Sequence, residues 1–323
     1  MAKARDLSFD FLKGSLILLV IIGHVLPGSA DSGIRGAIYF FHMPLFLGVT
    51  GYFVRRKFLD GGLVNILKKY QWRMIMPYLL AFAAYSLYAL FTAWQGEGVS
   101  IKTVLGLILY PYYHLWYIPA VIIFVIYTLI SYRNNTLLTL VLVLSSLLAI
   151  GWYCYADLLE AKYGMLKFIG DKRFYYYYAF FLLGYLMADR SLSLSGWLTL
   201  PLVVLAGGLS YYLADATLAD ATAWFVFNVA LLFLLVGWCK HINMQSENLI
   251  VKMGQVSLPI YLWHVMPIII MGMVFDANSP QFYIATVTLI ALLIGVFIKL
   301  RGKSHFFDSY FYGERLNWKS KLQ

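Results

Sequence analysis

Lys13 and His24 lie eleven residues apart in an otherwise apolar segment that begins Asp10-Phe11-Leu12-Lys13-Gly14 and runs on to Gly23-His24. At ~100° per residue they fall within about 20° of each other on one helix face, roughly 16 Å apart along the axis. Ionisable groups at membrane depth are costly and face an internal cavity or a reaction path. A lysine at one end of such a path can hold an anionic group. An imidazole at the other, with an unperturbed pKa of ~6.5, can take a proton from a hydroxyl and pass it on. Asp10, three residues before Lys13, also reads as a local partner that lowers the cost of burying the lysine.

The elements that carry these groups must be membrane helices. Of 323 residues, 62% are hydrophobic and 12% charged, with a mean hydropathy of +0.74, against roughly 25% charged in a soluble domain. The composition predicts an all-α polytopic membrane protein. Spans of ~20 apolar residues fit about 7–27, 37–54, 74–94, 114–132, 136–155, 174–189, 197–213, 221–239, 257–274 and 281–300. Breakers separate them: Pro27-Gly28-Ser29, Gly96-Glu97-Gly98, Arg133-Asn134-Asn135, Ser195-Gly196 and Asn278-Ser279-Pro280. About ten transmembrane helices therefore form one domain over 1–323, with no appended soluble domain expected. The stretches 55–73 and 301–323 read as basic loop and tail. Lys13 and His24 argue that the first apolar run is a retained span, although Pro27-Gly28-Ser29-Ala30 could pass for a cleavage site. No internal repeat recurs, which weakens an inverted-repeat transporter.

Orientation follows from lysine and arginine. Eighteen of the 25 basic residues fall on the side holding both termini, six on the other, and Lys13 lies within the first span. Both termini are predicted to be cytoplasmic. His24, His42 in Phe41-His42-Met43-Pro44, and His114 in His114-Leu115-Trp116 then share the outer part of the membrane, with His264 nearer mid-depth. Some of these can surround an acceptor hydroxyl; alternatively each is a packing residue bonded to a carbonyl. Inside, Arg73 enters the third span after Lys68 and Lys69. Clustered cations suit phosphate, Arg through forked hydrogen bonds and Lys as a point charge, although basic loops are also the ordinary topology signal. The net charge of +10 is spent on topology and anionic lipid, which argues against nucleic acid. Tyr175 to Tyr178, Trp116 and Trp263 suit interfacial belts or, in a few cases, sugar stacking. No metal-ligand motif or Gly-rich phosphate loop occurs, and Cys154 and Cys239 imply no disulfide.

In this order, Asp10-Phe11-Leu12-Lys13-Gly14…Gly23-His24, the stretch from Phe41-His42-Met43-Pro44 to Tyr52-Phe53, Arg73-Met74-Ile75-Met76-Pro77-Tyr78, His114-Leu115-Trp116-Tyr117-Ile118-Pro119 and Ile260-Tyr261-Leu262-Trp263-His264 resemble the bacterial membrane acyltransferase 3 family. The Phe-His-Met-Pro form is most similar to its short branch, which includes fucose 4-O-acetylases and poly-N-acetylglucosamine-modifying O-acyltransferases. The resemblance implies a multi-pass enzyme of the bacterial inner membrane that moves an acetyl group from cytoplasmic acetyl-CoA to a sugar hydroxyl. The acceptor would be an exopolysaccharide or a lipid-linked sugar at the outer side. It implies His24 as the catalytic histidine, acting as general base or acyl-carrying nucleophile, with His42 as the alternative. Lys13, Arg73 and Lys69 would bind coenzyme A, and His114, Trp116 and His264 would meet the acceptor. The family tends to carry Arg-x-x-Arg where the third span begins; Tyr70-Gln71-Trp72-Arg73 matches only the second arginine. No metal is implied, and self-association into a homo-oligomer is allowed. The rival readings are a transporter or flippase for a glycan or acyl donor, and a non-catalytic partner of a polysaccharide synthase.

Overall fold

The computed structural model describes residues 6–28, 33–96, 98–112, 114–162, 171–213, 217–242 and 244–314. Lys3, Arg5, Ser29, Ala30, Glu97, Tyr113, Lys167 and the tail from Arg315 lie outside them. Among the described residues every regular element is helical. Helices α1 (Leu7–Val25), α2 (Gly33–Tyr52), α3 (Arg56–Asp60) and α4 (Gly62–Tyr70) lead through a π-helical turn, Gln71–Ile75, into α5 (Met76–Gln95). There follow α6 (Ile101–Leu109), α7 (Tyr117–Ser131), α8 (Asn135–Lys162), α9 (Arg173–Tyr176), α10 (Tyr178–Asp189), α11 (Gly196–Leu213) and α12 (Leu218–His241). The last are α13 (Leu249–Gln255), α14 (Ser257–Trp263), α15 (Val265–Gly272), α16 (Pro280–Leu300) and α17 (His305–Tyr310).

Six helical stretches are long and apolar enough to cross a membrane: α1, 62–95, 135–155, α11, α12 and α16. A seventh arises if α13 to α15, bent by 79° after Gln255, is one broken span. The three other predicted spans coincide with α2, α7 and α10. Helix α2 carries Pro44 and polar residues, while α7 has 15 residues and α10 has 12, so neither alone reaches the ~30 Å of a hydrocarbon core at ~1.5 Å per residue. Two stretches differ from the sequence reading. The basic loop at 55–73 is mostly helix, because Leu59, Ile66 and Tyr70 bury one face while Arg56, Lys57, Lys68 and Lys69 stay exposed. The basic tail is folded as far as Glu314.

Inside the single domain expected from the sequence, two compact units are distinguishable. The first comprises Met1–His42, Lys68–Ala81 and Cys239–Gln323. Its first helix starts where the Asp6 side chain accepts from the Ser8 amide at 3.1 Å. The helix buries Phe9, Leu12, Leu16, Ile17 and Val20, a stripe at helical spacing. Helix α1 meets α13 through two glycines. A Cβ on Gly14 would overlap the carbonyl of Ile250, and one on Gly254 would overlap the carbonyl of Asp10. Small residues that let backbones touch are the means by which helices associate in lipid, where apolar surface gains nothing by leaving the tails. Ser8 Oγ donates to the Ile242 carbonyl, and the Asn248 side chain caps α13 by accepting from Val251 N at 2.9 Å.

The second unit comprises Met43–Leu67 and Phe82–Trp238. Gly51 and Gly184 repeat the same device between α2 and α10: added Cβ atoms would strike the carbonyls of Phe181 and Gly48. Phe124, Phe180, Phe181 and Tyr185 are fully buried around them. Residues predicted to share a side do meet here. Tyr132 Oη donates to Asp60 Oδ1 at 3.0 Å, Arg133 Nε donates to Tyr132 Oη at 2.7 Å, and Asp189 lies 3.3 Å from Arg190 and 3.8 Å from Arg56. At the opposite level the Asp171 amide donates to Leu109 O at 3.1 Å.

Replacing Gly254 by Ala should lower the stability of purified protein by about 1–3 kcal/mol, the range for overpacking, read as thermal unfolding in detergent. Gly237, whose added Cβ would meet open space, is the control. Its alanine variant should be neutral or up to about 1 kcal/mol more stable on helix propensity.

Candidate active site

Four rings in the first unit form a cluster. The His24 ring, near the end of α1, is 5.1 Å from that of His264 and 6.1 Å from that of Tyr39, centroid to centroid. Tyr39 is in turn 5.0 Å from His42 on its own helix. Tyr39 Oη donates to the Gly23 carbonyl at 3.0 Å, and its ring comes within 3.1 Å of where a Gly23 Cβ would stand. Arg35 lies over the Tyr39 ring at 5.5 Å and donates to the carbonyls of Gly28, at 2.6 Å, and Leu26, at 3.5 Å. The Gly23 carbonyl in the last turn of α1, where carbonyls lack intrahelical partners, and those of Leu26 and Gly28 just past it are thereby tied to α2. That anchors the backbone from which His24 projects.

The ring nitrogens can be assigned from their partners. His42 Nδ1 lies 2.8 Å from Ile38 O, and His264 Nδ1 lies 2.8 Å from Tyr261 O and 3.2 Å from Ile260 O. Carbonyl oxygens only accept, so Nδ1 carries the proton in both rings, and in a neutral ring Nε2 carries the lone pair. His42 and His264 are buried, while His24 is half-buried. Such a cluster can accept a proton from a hydroxyl and hold it among imidazoles. Among the described residues, no group of three or more His, Cys, Asp or Glu side chains is arranged to hold a metal ion.

The predicted cations fall in the same unit. Lys13 Nζ is 2.7 Å from Asp10 Oδ1, so part of its charge is already met by the local carboxylate. Lys69 and Arg73 stand close enough for their charges to repel, which suits a pair that receives an anion. Arg73 sits on the π-helical turn, where Met76 N donates to Gln71 O five residues back. Such wide turns are frequent at functional sites. The C-terminal segment clamps the turn from behind. Gly313, at φ 64°, places its Hα face against the Arg73 carbonyl, and Trp72 packs edge-on to Tyr310 at 6.3 Å. Arg301 Nη2 holds Glu314 at 2.6 Å and Tyr312 Oη donates to Phe297 O at 2.6 Å.

His114 and Trp116 belong to the second unit and are buried there. His114 packs edge-on to Tyr85 at 5.2 Å, and Tyr85 stacks on Tyr112 at 5.3 Å. Trp116 carries Arg173 over its ring at 4.7 Å and stacks with Tyr177 at 5.7 Å, while Arg173 Nε is fixed by Asp171 at 2.7 and 2.9 Å. Arg173 and Tyr177 thus both pack on the indole that the sequence offers for a sugar. The structure thus gathers Lys13, His24, His42, Lys69, Arg73 and His264 in one unit and sets His114 and Trp116 in the other.

A family model described as an acyltransferase domain matches residues 6–300. The chain belongs to this acyltransferase family. It is 46% identical over 70 residues to the nodulation protein NolL of Mesorhizobium japonicum, covering 18% of this chain and 19% of that protein. It is 48% identical over 59 residues to the nodulation protein NolL of Sinorhizobium fredii, covering 16% of each. The chain therefore covers less than a fifth of the length of either relative. No solved structure matches.

The chain is accordingly an all-α, multi-pass membrane member of this family, with six or seven helices among the described residues long and apolar enough to cross a membrane. The match takes in all the clustered histidines, Lys13, Lys69 and Arg73, whereas the clamp at 301–314 lies beyond the matched range. Two parts of the arrangement escaped the sequence reading. Arg35 and Tyr39 share a helical face with the predicted His42, at i, i+4 and i+7, which periodicity could have found. The clamp has no such signal, because its contacts with the turn, Gly313 on Arg73 and Tyr310 on Trp72, span more than 200 positions.

Gly313→Ala should free the clamp. A left-handed φ costs an L-residue roughly 1–2 kcal/mol, and the added carbon strikes the Arg73 carbonyl. Limited proteolysis should cut the C-terminal segment faster in this variant than in the native protein, with insertion unchanged.

Proposed function

We propose that this enzyme moves an acetyl group from cytoplasmic acetyl-CoA to a sugar hydroxyl of an exopolysaccharide or lipid-linked glycan at the outer face of a bacterial inner membrane. Membership of an acyltransferase family favours this over a transporter or a non-catalytic partner. The observation that carries the chemistry is the imidazole cluster in the unit that also holds the cations: His24 beside His264, with Tyr39 linking to His42.

Donor binding is assigned to Arg73 and Lys69, two neighbouring cations that an anionic phosphate would relieve of mutual repulsion. Lys13 contributes less than an isolated lysine would, because Asp10 shares its charge. The thioester supplies an activated acyl group and a good leaving group. His24 accepts the acceptor's hydroxyl proton as the oxygen bonds to the acyl carbon and the carbon–sulfur bond breaks. It then returns that proton to the departing thiolate. If His24 instead takes the acyl group on a ring nitrogen, the same residue later releases it to the hydroxyl, and the overall exchange of atoms is unchanged. Transfer within an apolar bundle also limits loss of the thioester to water.

His24→Ala should insert normally and keep its affinity for coenzyme A while losing acyl transfer by at least ~10²–10⁴-fold, the span for removing a general base. Near-native transfer by correctly inserted His24→Ala would sink the proposed chemistry. Arg73→Ala should raise KM for acetyl-CoA at little change in kcat, a loss of about 1.5–3 kcal/mol for a charge-assisted contact. Lys13→Ala should act in the same direction but less, with Lys13→Arg partly tolerated. Initial-rate measurements with labelled acetyl-CoA and glycan acceptor separate the two constants.

A further inference from the structure

Phe306 stands past the end of α16, beyond the polar Arg301, Lys303 and Ser304, and is 54% exposed. A lone apolar side chain at the surface needs no explanation. This one, however, is braced. Its ring lies 5.0 Å from that of Tyr310 at 36°, and Phe307 and Phe311 meet it more steeply at 5.7 and 6.4 Å. The bed beneath it is fixed as well. Asp308 is fully buried; its Oδ1 accepts from Gly302 N at 2.8 Å, and its carbonyl accepts from Glu314 N at 2.7 Å. Those bonds close the segment on itself, while the Tyr312 hydroxyl pins it to α16 and Gly313 meets the π-helical turn.

The rings continue towards the cations. Tyr310 lies 6.3 Å from Trp72, the residue before Arg73, and Arg73 and Lys69 are both exposed. An aromatic platform thus runs from Phe306 through Tyr310 to the neighbour of the guanidinium, all within one unit. Coenzyme A carries matching parts in the same order, a purine joined through one ribose to its phosphates. We infer that Phe306 and Tyr310 form the adenine subsite of the donor site, holding the purine of acetyl-CoA while Arg73 and Lys69 meet its phosphates. This rests on the reading of those two cations as the phosphate site.

A ring that only anchors the chain in the lipid interface gains from burial in any orientation and has no use for a braced bed. A rigid mounting suits a flat ligand, because a platform already in place spares the cost of ordering it on binding. The base is met from beyond the matched range 6–300 and the phosphates from within it. The C-terminal segment thereby takes on a second task besides clamping the turn.

The test measures initial rates of purified full-length protein with two donors, acetyl-CoA and acetyl-phosphopantetheine. The second keeps the thioester arm and one phosphate but lacks the adenosine. Phe306→Ala is expected to raise KM for acetyl-CoA about 5- to 100-fold, the span for losing one base–aromatic stack, while KM for the truncated donor stays near native. Phe306→Trp, which restores a stacking face, should return KM for acetyl-CoA to near the native value. A native KM for acetyl-CoA in Phe306→Ala would overturn the inference and leave the ring to the lipid interface. So would an equal rise for both donors, the mark of a disturbed fold, or a Trp variant no better than Ala. Should Phe306→Ala fail to fold, Phe306→Leu, apolar but without a π-face, reads the same difference between donors. Arg73→Ala keeps the two readings apart: a raised KM for both donors sustains the phosphate site whatever Phe306 does, and an unchanged KM for both would remove that site and the inference with it.

Discussion

The approach of two backbones at Gly14 and Gly254 is the constraint on which the histidine cluster depends. At that crossing α1 and α13 touch main chain to main chain, so neither helix can slide or roll without overlap. Each histidine of the central pair lies ten residues beyond its own helix's glycine: His24 beyond Gly14 and His264 beyond Gly254. Both chains run the same way from the crossing. Along the straight helix α1 those ten residues rise about 15 Å. On the other side the break after Gln255 bends the chain by 79°, yet the rings still meet. A single contact of small residues thus sets the register of a histidine pair about 15 Å along α1 from it.

Charge in the first unit is managed by position rather than by number. Asp10 neutralises Lys13 within one helical turn, the cheapest way to place a cation inside an apolar helix. Arg73 and Lys69 are near enough for their charges to repel, and the backbone at Arg73 is held by a carbonyl–glycine contact and an aromatic pair. One lysine is compensated within its own helix, and another is set beside a like charge. The apolar remainder of the unit makes both conditions matter, because neither would be felt in bulk water.

Much of the architecture was legible in the sequence because it follows from local periodicity. The helical phase shared by Lys13 and His24 needs only the 3.6-residue repeat, and the apolar runs marked most of the long helices. What remained hidden depended on tertiary contact. No spacing rule links His264 to His24, and nothing in His114-Leu115-Trp116 reveals that Arg173 and Tyr177 would claim the indole. The basic stretch at 55–73 read as loop because its charge count is high, although Leu59, Ile66 and Tyr70 fall where an amphipathic helix needs them. Helices α7 and α10 were taken as full spans because their apolar flanks extended the window. The backbone leaves helical geometry at Tyr177 and Arg190, the two ends of α10, while α7 stops at 15 residues.

The π-helical turn at Gln71–Ile75 has a consequence for chain length. Its wide closure, from Met76 N to Gln71 O, accommodates one residue more than an α-helix would over the same rise. Removal of one residue from this turn would let it relax into plain α-helix over the same rise, so the helix beyond it would keep its phase and Pro77 and Ala81 would stay buried. A residue lost from plain α-helix would instead turn everything downstream by about 100°. Inside the turn, however, the side chains would be re-aimed, and Arg73 would leave its bed on Gly313. For the fold this is the place in the helix most forgiving of a lost residue, and for the cation it carries the least.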